Sequence, residues 1–115
     1  MSDEKFGAFI RRMREEKEIG LREMAKKMDV SPTYISKVER DEFAPPAEDR
    51  VKAMAVILEL DADDLLARAG RVSSDVSSII KRQPVALAAL LRTTEGLSAE
   101  DITRLVRQAQ KAKGD

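Results

Sequence analysis

Residues 19–46 read IGLREMAKKMDVSPTYISKVERDEFAPP, and the apolar spacing in this stretch decides the fold. Leu21, Met24, Ala25 and Met28 recur at i, i+3, i+4 and i+7, one face of a short helix with Gly20 at its N-cap. The pattern breaks at Asp29-Val30-Ser31-Pro32. Ser31 then caps a second helix, Pro32 takes its first position, where the missing N–H costs nothing, and Ile35 and Val38 face inward. This helix ends near Arg40. Asp41 to Pro46 cannot extend it, because Pro45 and Pro46 remove donors and push the preceding residues towards extended backbone. The segment reads as a loop anchored by a buried Phe43.

The flanks follow the same logic. Phe6, Phe9, Ile10 and Met13 predict a helix from about Asp3 to Lys17. After the loop, Val51, Met54, Ala55 and Leu58 predict a fourth helix. Asp61 caps a fifth, with Asp64 reaching back and Leu60 stapling onto Leu65, and Gly70 ends it. Ser73, Ser74, Ser77 and Ser78 then crowd one segment, where they read as caps and solvated positions. A domain boundary is expected near Arg71, dividing the chain into 1–70 and 71–115. Val76, Ile79 and Ile80 precede Pro84, which either kinks or breaks the helical run. A helix from about Val85 to Thr93 follows, stopped by Gly96. Ser98 opens the last helix, with Asp101 as capping-box partner, a Leu97–Ile102 staple and an Ile102, Leu105, Val106, Ala109 stripe.

Composition supports an all-α class. Of 115 residues, 43% are hydrophobic but only 3% aromatic, so Ala, Leu, Ile, Val and Met carry the cores. Lys and Arg number 21, as do Asp and Glu, so bulk charge points to no partner. With no Cys and no His, the chain lacks disulfides, the usual thiolate and imidazole metal ligands and the commonest nucleophile–base pairs. Plentiful carboxylates form no pair marked out by its surroundings, so we expect no catalytic residues, no metal and no cofactor. No apolar run approaches the length of about 20 residues that a bilayer span needs, and Met1-Ser2-Asp3-Glu4-Lys5 is acidic where a secretory signal is basic. A cytoplasmic protein without membrane association is expected.

Two short helices joined by a tight turn form a helix-turn-helix, whose second helix can enter the major groove of double-stranded DNA. The quoted stretch resembles the Cro/C1-type (XRE family) helix-turn-helix regulators. It matches them in the small Ala25 between the helices, the hydrophobic Met24, Met28, Val30, Ile35 and Val38, and the Glu39-Arg40 that closes the second helix. The resemblance covers about residues 5–70 and implies a five-helix lambda-repressor-like DNA-binding domain.

It also implies roles. Pro32, Thr33, Ser36 and Lys37 fall where the family reaches base edges; the Lys37 ammonium suits guanine O6 and N7, and the Thr33 methyl suits thymine. Arg22, Lys26, Lys27, Tyr34 and Arg40 are expected at phosphates, with the first amides of the helix that follows Gly20 and the Asp41–Ala44 backbone. Arg14 and Glu39 fall where relatives pair an arginine of helix one with the glutamate ending helix three. The chain departs from the family by placing Asp29 and Asp41 where relatives carry Gly, which strains the backbone. It also has Leu21 where many relatives place a polar phosphate contact. Asp41 and Glu42 bring negative charge towards the expected DNA.

Short helices cannot bury their stripes alone. Ile79, Ile80, Leu87, Leu90, Leu91, Ile102, Leu105 and Val106 must therefore pack on the N-terminal domain, enlarging its core in a monomer, or on a second subunit; we expect the second, a C-terminal helical dimerisation region that gives a homodimer over a palindromic operator. Repression is the expected activity by resemblance. The alternative is an antitoxin or anti-repressor-type interaction protein, whose C-terminal helices bind a toxin or a regulatory protease.

Overall fold

The computed structural model describes residues 4–114, and among them it contains eight α-helices and no strand. In chain order they are α1 (Phe6–Glu16), α2 (Leu21–Met28), α3 (Pro32–Glu39), α4 (Glu48–Leu58), α5 (Ala62–Arg68), α6 (Ser74–Arg82), α7 (Pro84–Thr93) and α8 (Ala99–Ala112). The expected helical start at Asp3 lies outside the described residues. One compact unit ends at Ser74 and a second begins at Asp75.

The first unit is built on the predicted stripes. Phe6, Phe9 and Ile10 of α1, Met24 and Ala25 of α2, Ile35 and Val38 of α3, Val51, Met54, Ala55 and Leu58 of α4, and Leu65 and Leu66 of α5 form one buried cluster. Helices α1, α3 and α4 contribute residues three or four apart, the spacing that keeps them on one face, while α2 and α5 each contribute an adjacent pair. Ser31 and Asp61 accept from the amides of Tyr34 and Asp64, both at 3.0 Å, starting α3 and α5.

All five helices of this unit end alike. The amides of Glu18, Asp29, Asp41, Glu59 and Gly70 donate to the carbonyl three residues back, and the next amide donates to the carbonyl five residues before it, closing a Schellman motif. The capping residue is left-handed each time, and at four of the five ends it is acidic rather than glycine: Glu18, Asp29, Asp41 and Glu59 have φ near +57°. Gly70 alone is glycine there.

The unit runs past Arg71 because that residue is tied back to it. The Arg71 guanidinium donates to the carbonyls of Pro46 at 2.8 Å and Pro45 at 2.9 Å, and the Ser74 amide and hydroxyl donate to Glu48.

The second unit comprises most of α6, with α7 and α8. Pro84 breaks the helical run rather than kinking it: α6 ends at Arg82 and Pro84 opens α7 at its first position. Ser98 caps α8 by accepting from the Asp101 amide at 3.0 Å. The Asp101 carboxylate pairs forward with Arg104 at 3.1 Å. No residue of α6, α7 or α8 is buried. Among the described residues, no helix is long and apolar enough to cross a membrane.

Candidate nucleic-acid interface

The site begins at the turn between α2 and α3. Asp29 adopts φ 58° and ψ 45°, its amide bonds to the Lys26 carbonyl, and the Val30 amide bonds to the Ala25 carbonyl. These bonds reverse the chain within three residues and deliver Ser31 to the cap of α3. Along α3, Ile35, Val38 and Glu39 are buried, Thr33 is exposed, and Pro32, Tyr34, Ser36 and Lys37 are half-buried. Thr33, Ser36, Lys37 and Arg40 therefore share the face opposite the core, at helical spacing.

One ion pair sets how α3 sits on α1. Arg14 Nε donates to Glu39 at 2.6 Å and a second guanidinium nitrogen donates to its other oxygen at 2.9 Å, while the third reaches the Ile19 carbonyl at 2.9 Å. The Glu39 side chain is 4% exposed and that of Arg14 11%. Such a bidentate contact fixes both distance and angle. The Glu39 carboxylate and the desolvation around it act in opposite senses on Arg14, and the hydrogen bond wins, raising the arginine pKa and keeping it charged.

Apart from the half-buried Lys37, the basic side chains around α2 and α3 are exposed, and several are already engaged. Lys27 pairs with Glu23 at 3.5 Å, and Arg40 pairs with Glu42 at 3.0 Å while donating to the Ser36 carbonyl. Arg22 and Lys26 lie exposed on α2. Gly20 offers no side-chain acceptor to the first amides of α2.

Phe43 corrects the expectation of a buried loop anchor. It is 44% exposed, whereas Pro46 is the buried residue of the loop. Its ring lies 5.9 Å from that of Tyr34, and Lys37 Nζ stands 5.7 Å from its centroid. Surface stacking against α3 satisfies this ring where the sequence pattern suggested the core. The Arg50 guanidinium of α4 lies 4.7 Å from the centroid of the Tyr34 ring. Sequence reasoning missed Arg50, because nothing local in α4 signals that it faces a residue of α3.

Asp41 also behaves differently from its expected role as a negative charge facing DNA. Its Oδ1 accepts from the Gly7 amide at 2.8 Å, so its carboxylate serves the start of α1. Glu42 is the acid that remains exposed beside Arg40.

The helix-turn-helix domain family matches this chain over residues 5–69, which takes in α1 to α5. The chain belongs to the helix-turn-helix family. Among relatives of this helix-turn-helix protein, the HTH-type transcriptional regulator Rv0474 of Mycobacterium tuberculosis is 33% identical over 75 residues, 65% of this chain and 53% of the relative. The chain thus spans about half the length of the curated relatives it matches. The clp gene regulator ClgR from Corynebacterium glutamicum superposes with a TM-score of 0.50 at 27% identity, covering 78% of this chain and 89% of that one. A complex of the SinR and SinI proteins, SinR being from Bacillus subtilis, superposes with a TM-score of 0.51 over 96% of this chain and 99% of that one. At 21% identity, this last likeness bears on the fold alone.

Proposed function

We propose that this helix-turn-helix protein is a sequence-specific DNA-binding transcriptional regulator, acting as a homodimeric repressor on a palindromic operator. The observation that carries the proposal is α3. Its outer face presents Pro32, Thr33, Ser36 and Lys37, and its inner face is locked to α1 by Arg14 and Glu39. In this reading α3 enters the major groove, where Lys37 donates to guanine and Thr33 meets thymine. Arg22, Lys26, Lys27, Tyr34 and Arg40 hold phosphates, and the α2 amides join them as uncapped donors. Phosphate contacts supply much of the affinity and make it fall steeply with salt. Occupancy near a promoter excludes polymerase, so neither catalysis nor a cofactor enters the proposal.

Dimerisation is assigned to residues 71–115. Leu90, Leu91, Ile102, Leu105 and Val106 line an apolar groove between α7 and α8, and Ile79 is likewise exposed, with Ile80 and Leu87 half-buried. Helices that bury none of their residues gain stability by covering such a stripe, and a second copy supplies a matching one. The same exposed groove favours a second reading, in which these helices bind a partner protein, a toxin or a regulatory protease.

The test is binding of the full chain to DNA upstream of its own gene, against excess random competitor at several salt concentrations, with molecular mass measured alongside. A protected palindrome bound by a dimer supports the proposal. Binding no better than to competitor rejects it in favour of the partner-protein reading.

A further inference from the structure

The chain has four aromatic residues, three Phe and one Tyr. Phe6 and Phe9 lie in the core, and the other two, Tyr34 and Phe43, stack on each other beside the outer face of α3. Each ring of this pair also has a cation near it: Arg50 stands 4.7 Å from the Tyr34 centroid and Lys37 Nζ 5.7 Å from that of Phe43. The four residues come from α4, α3 and the loop between them.

The loop that carries Phe43 is held on both sides. Before it, left-handed Asp41 is tied to the Gly7 amide; after it, the Pro45 and Pro46 carbonyls accept from Arg71. The ring is therefore presented from a pinned loop. Lysine carries large rotamer entropy, which docking onto a rigid base edge must remove, and a ring that already holds the ammonium removes part of it beforehand.

We propose that Phe43 is a positioning residue for sequence reading: it holds Lys37 over its face and, through Tyr34, joins Arg50 of α4 to the DNA-contacting surface as a further phosphate ligand. The inference rests on the DNA-binding proposal above. It extends the surface beyond α2 and α3, and it gives the exposed aromatic a role that neither core packing nor solubility supplies.

Two measurements test it on the full chain. In the free protein, the ring current of Phe43 is expected to shift the Lys37 ε-methylene protons upfield in NMR spectra. The shift is expected to vanish in Phe43→Leu and persist in Phe43→Tyr. For binding, the probe is duplex DNA enriched from a random-sequence pool by the wild-type chain. Phe43→Leu is expected to bind it about two- to fivefold more weakly, with the loss concentrated as weaker discrimination at one base pair, an unchanged salt dependence, and rescue in Phe43→Tyr. Arg50→Gln is expected to weaken all sequences alike and lower the salt slope by about one. Lys37 signals indifferent to Phe43→Leu, or wild-type affinity and base preference in that variant on an enriched site, overturn this role alone. Enrichment of no sequence by the wild-type chain overturns the DNA-binding proposal and this role with it.

Discussion

The Gly7 amide donates to the Asp41 carboxylate at 2.8 Å, joining the first turn of α1 to the left-handed residue two positions past α3. Lys5, at the N-cap of α1, offers no side-chain acceptor, so Asp41 serves as that helix's cap from a distance. Gly7 permits the approach, because a Cβ there meets the Val38 carbonyl. Asp41 consequently has two opposed effects: strain from its left-handed backbone, and a hydrogen bond that a glycine cannot make.

Asp41→Gly is expected to leave stability unchanged or lower it by up to about 1 kcal/mol, since relief of strain is offset by loss of the cap. Gly7→Ala is expected to destabilise by about 1–3 kcal/mol, because the added methyl strikes backbone. Urea denaturation midpoints check both, and a clear gain in Asp41→Gly contradicts the capping role.

Asp29, also left-handed, makes no side-chain hydrogen bond among the described residues and sits at the negative end of α2. Asp29→Gly is expected to raise stability by about 0.5–1 kcal/mol. Glu18→Gly is expected to act in the same direction, whereas Glu59→Gly gains less because Glu59 pairs with Lys17 at 3.0 Å. Thermal melts of the three variants, compared with Asp41→Gly, separate strain from capping; a midpoint for Asp29→Gly at or below wild type rejects the strain.

Removing Arg14 leaves the Glu39 carboxylate buried without its partner. Arg14→Ala is expected to destabilise by about 3 kcal/mol, while Arg14→Met combined with Glu39→Leu is expected to lose much less, because no charge is then stranded. Equilibrium denaturation of the two variants is the check. A single variant that unfolds like wild type removes the pair from the account of how α3 is held.

Glu48 ties α4 to the end of the first unit. Its carboxyl is held below the ordinary value of 4.5, first by Lys52 and then by the Ser74 amide and hydroxyl. A carboxyl depressed in the folded state stabilises the fold above its unfolded pKa and loses that contribution as pH falls through its folded pKa. Stability is therefore expected to hold down to about pH 5 and decline below it. Glu48→Gln should flatten that acid limb, as followed by denaturation across a pH series; an unaltered limb assigns the loss to other carboxylates.

Lys37 and Lys27 should differ in kind. Lys37→Ala is expected to weaken specific binding by about 1–3 kcal/mol and relax one base preference, whereas Lys27→Ala lowers affinity across sequences and flattens the salt dependence. Glu42→Gln frees Arg40 from its ion pair and is expected to strengthen binding to random DNA while steepening the salt slope. Titrations at several salt concentrations distinguish these outcomes, and equal losses for both lysines on specific and random DNA argue against the assigned roles.

Periodicity along the chain was enough for the buried stripes of α1 to α4, and capping chemistry for Ser31, Asp61 and Ser98, since helical geometry fixes those distances locally. The left-handed backbone at Asp29 and Asp41 was legible only through the family resemblance, which puts glycine at both positions. Tertiary structure alone decided that Phe43 stacks at the surface, that Arg50 reaches Tyr34, that Asp41 caps α1, and that Arg71 stays with the first unit. Each of these joins residues that the chain's path brings together from separate elements, and an isolated helix or loop carries no record of which distant group will arrive to meet it.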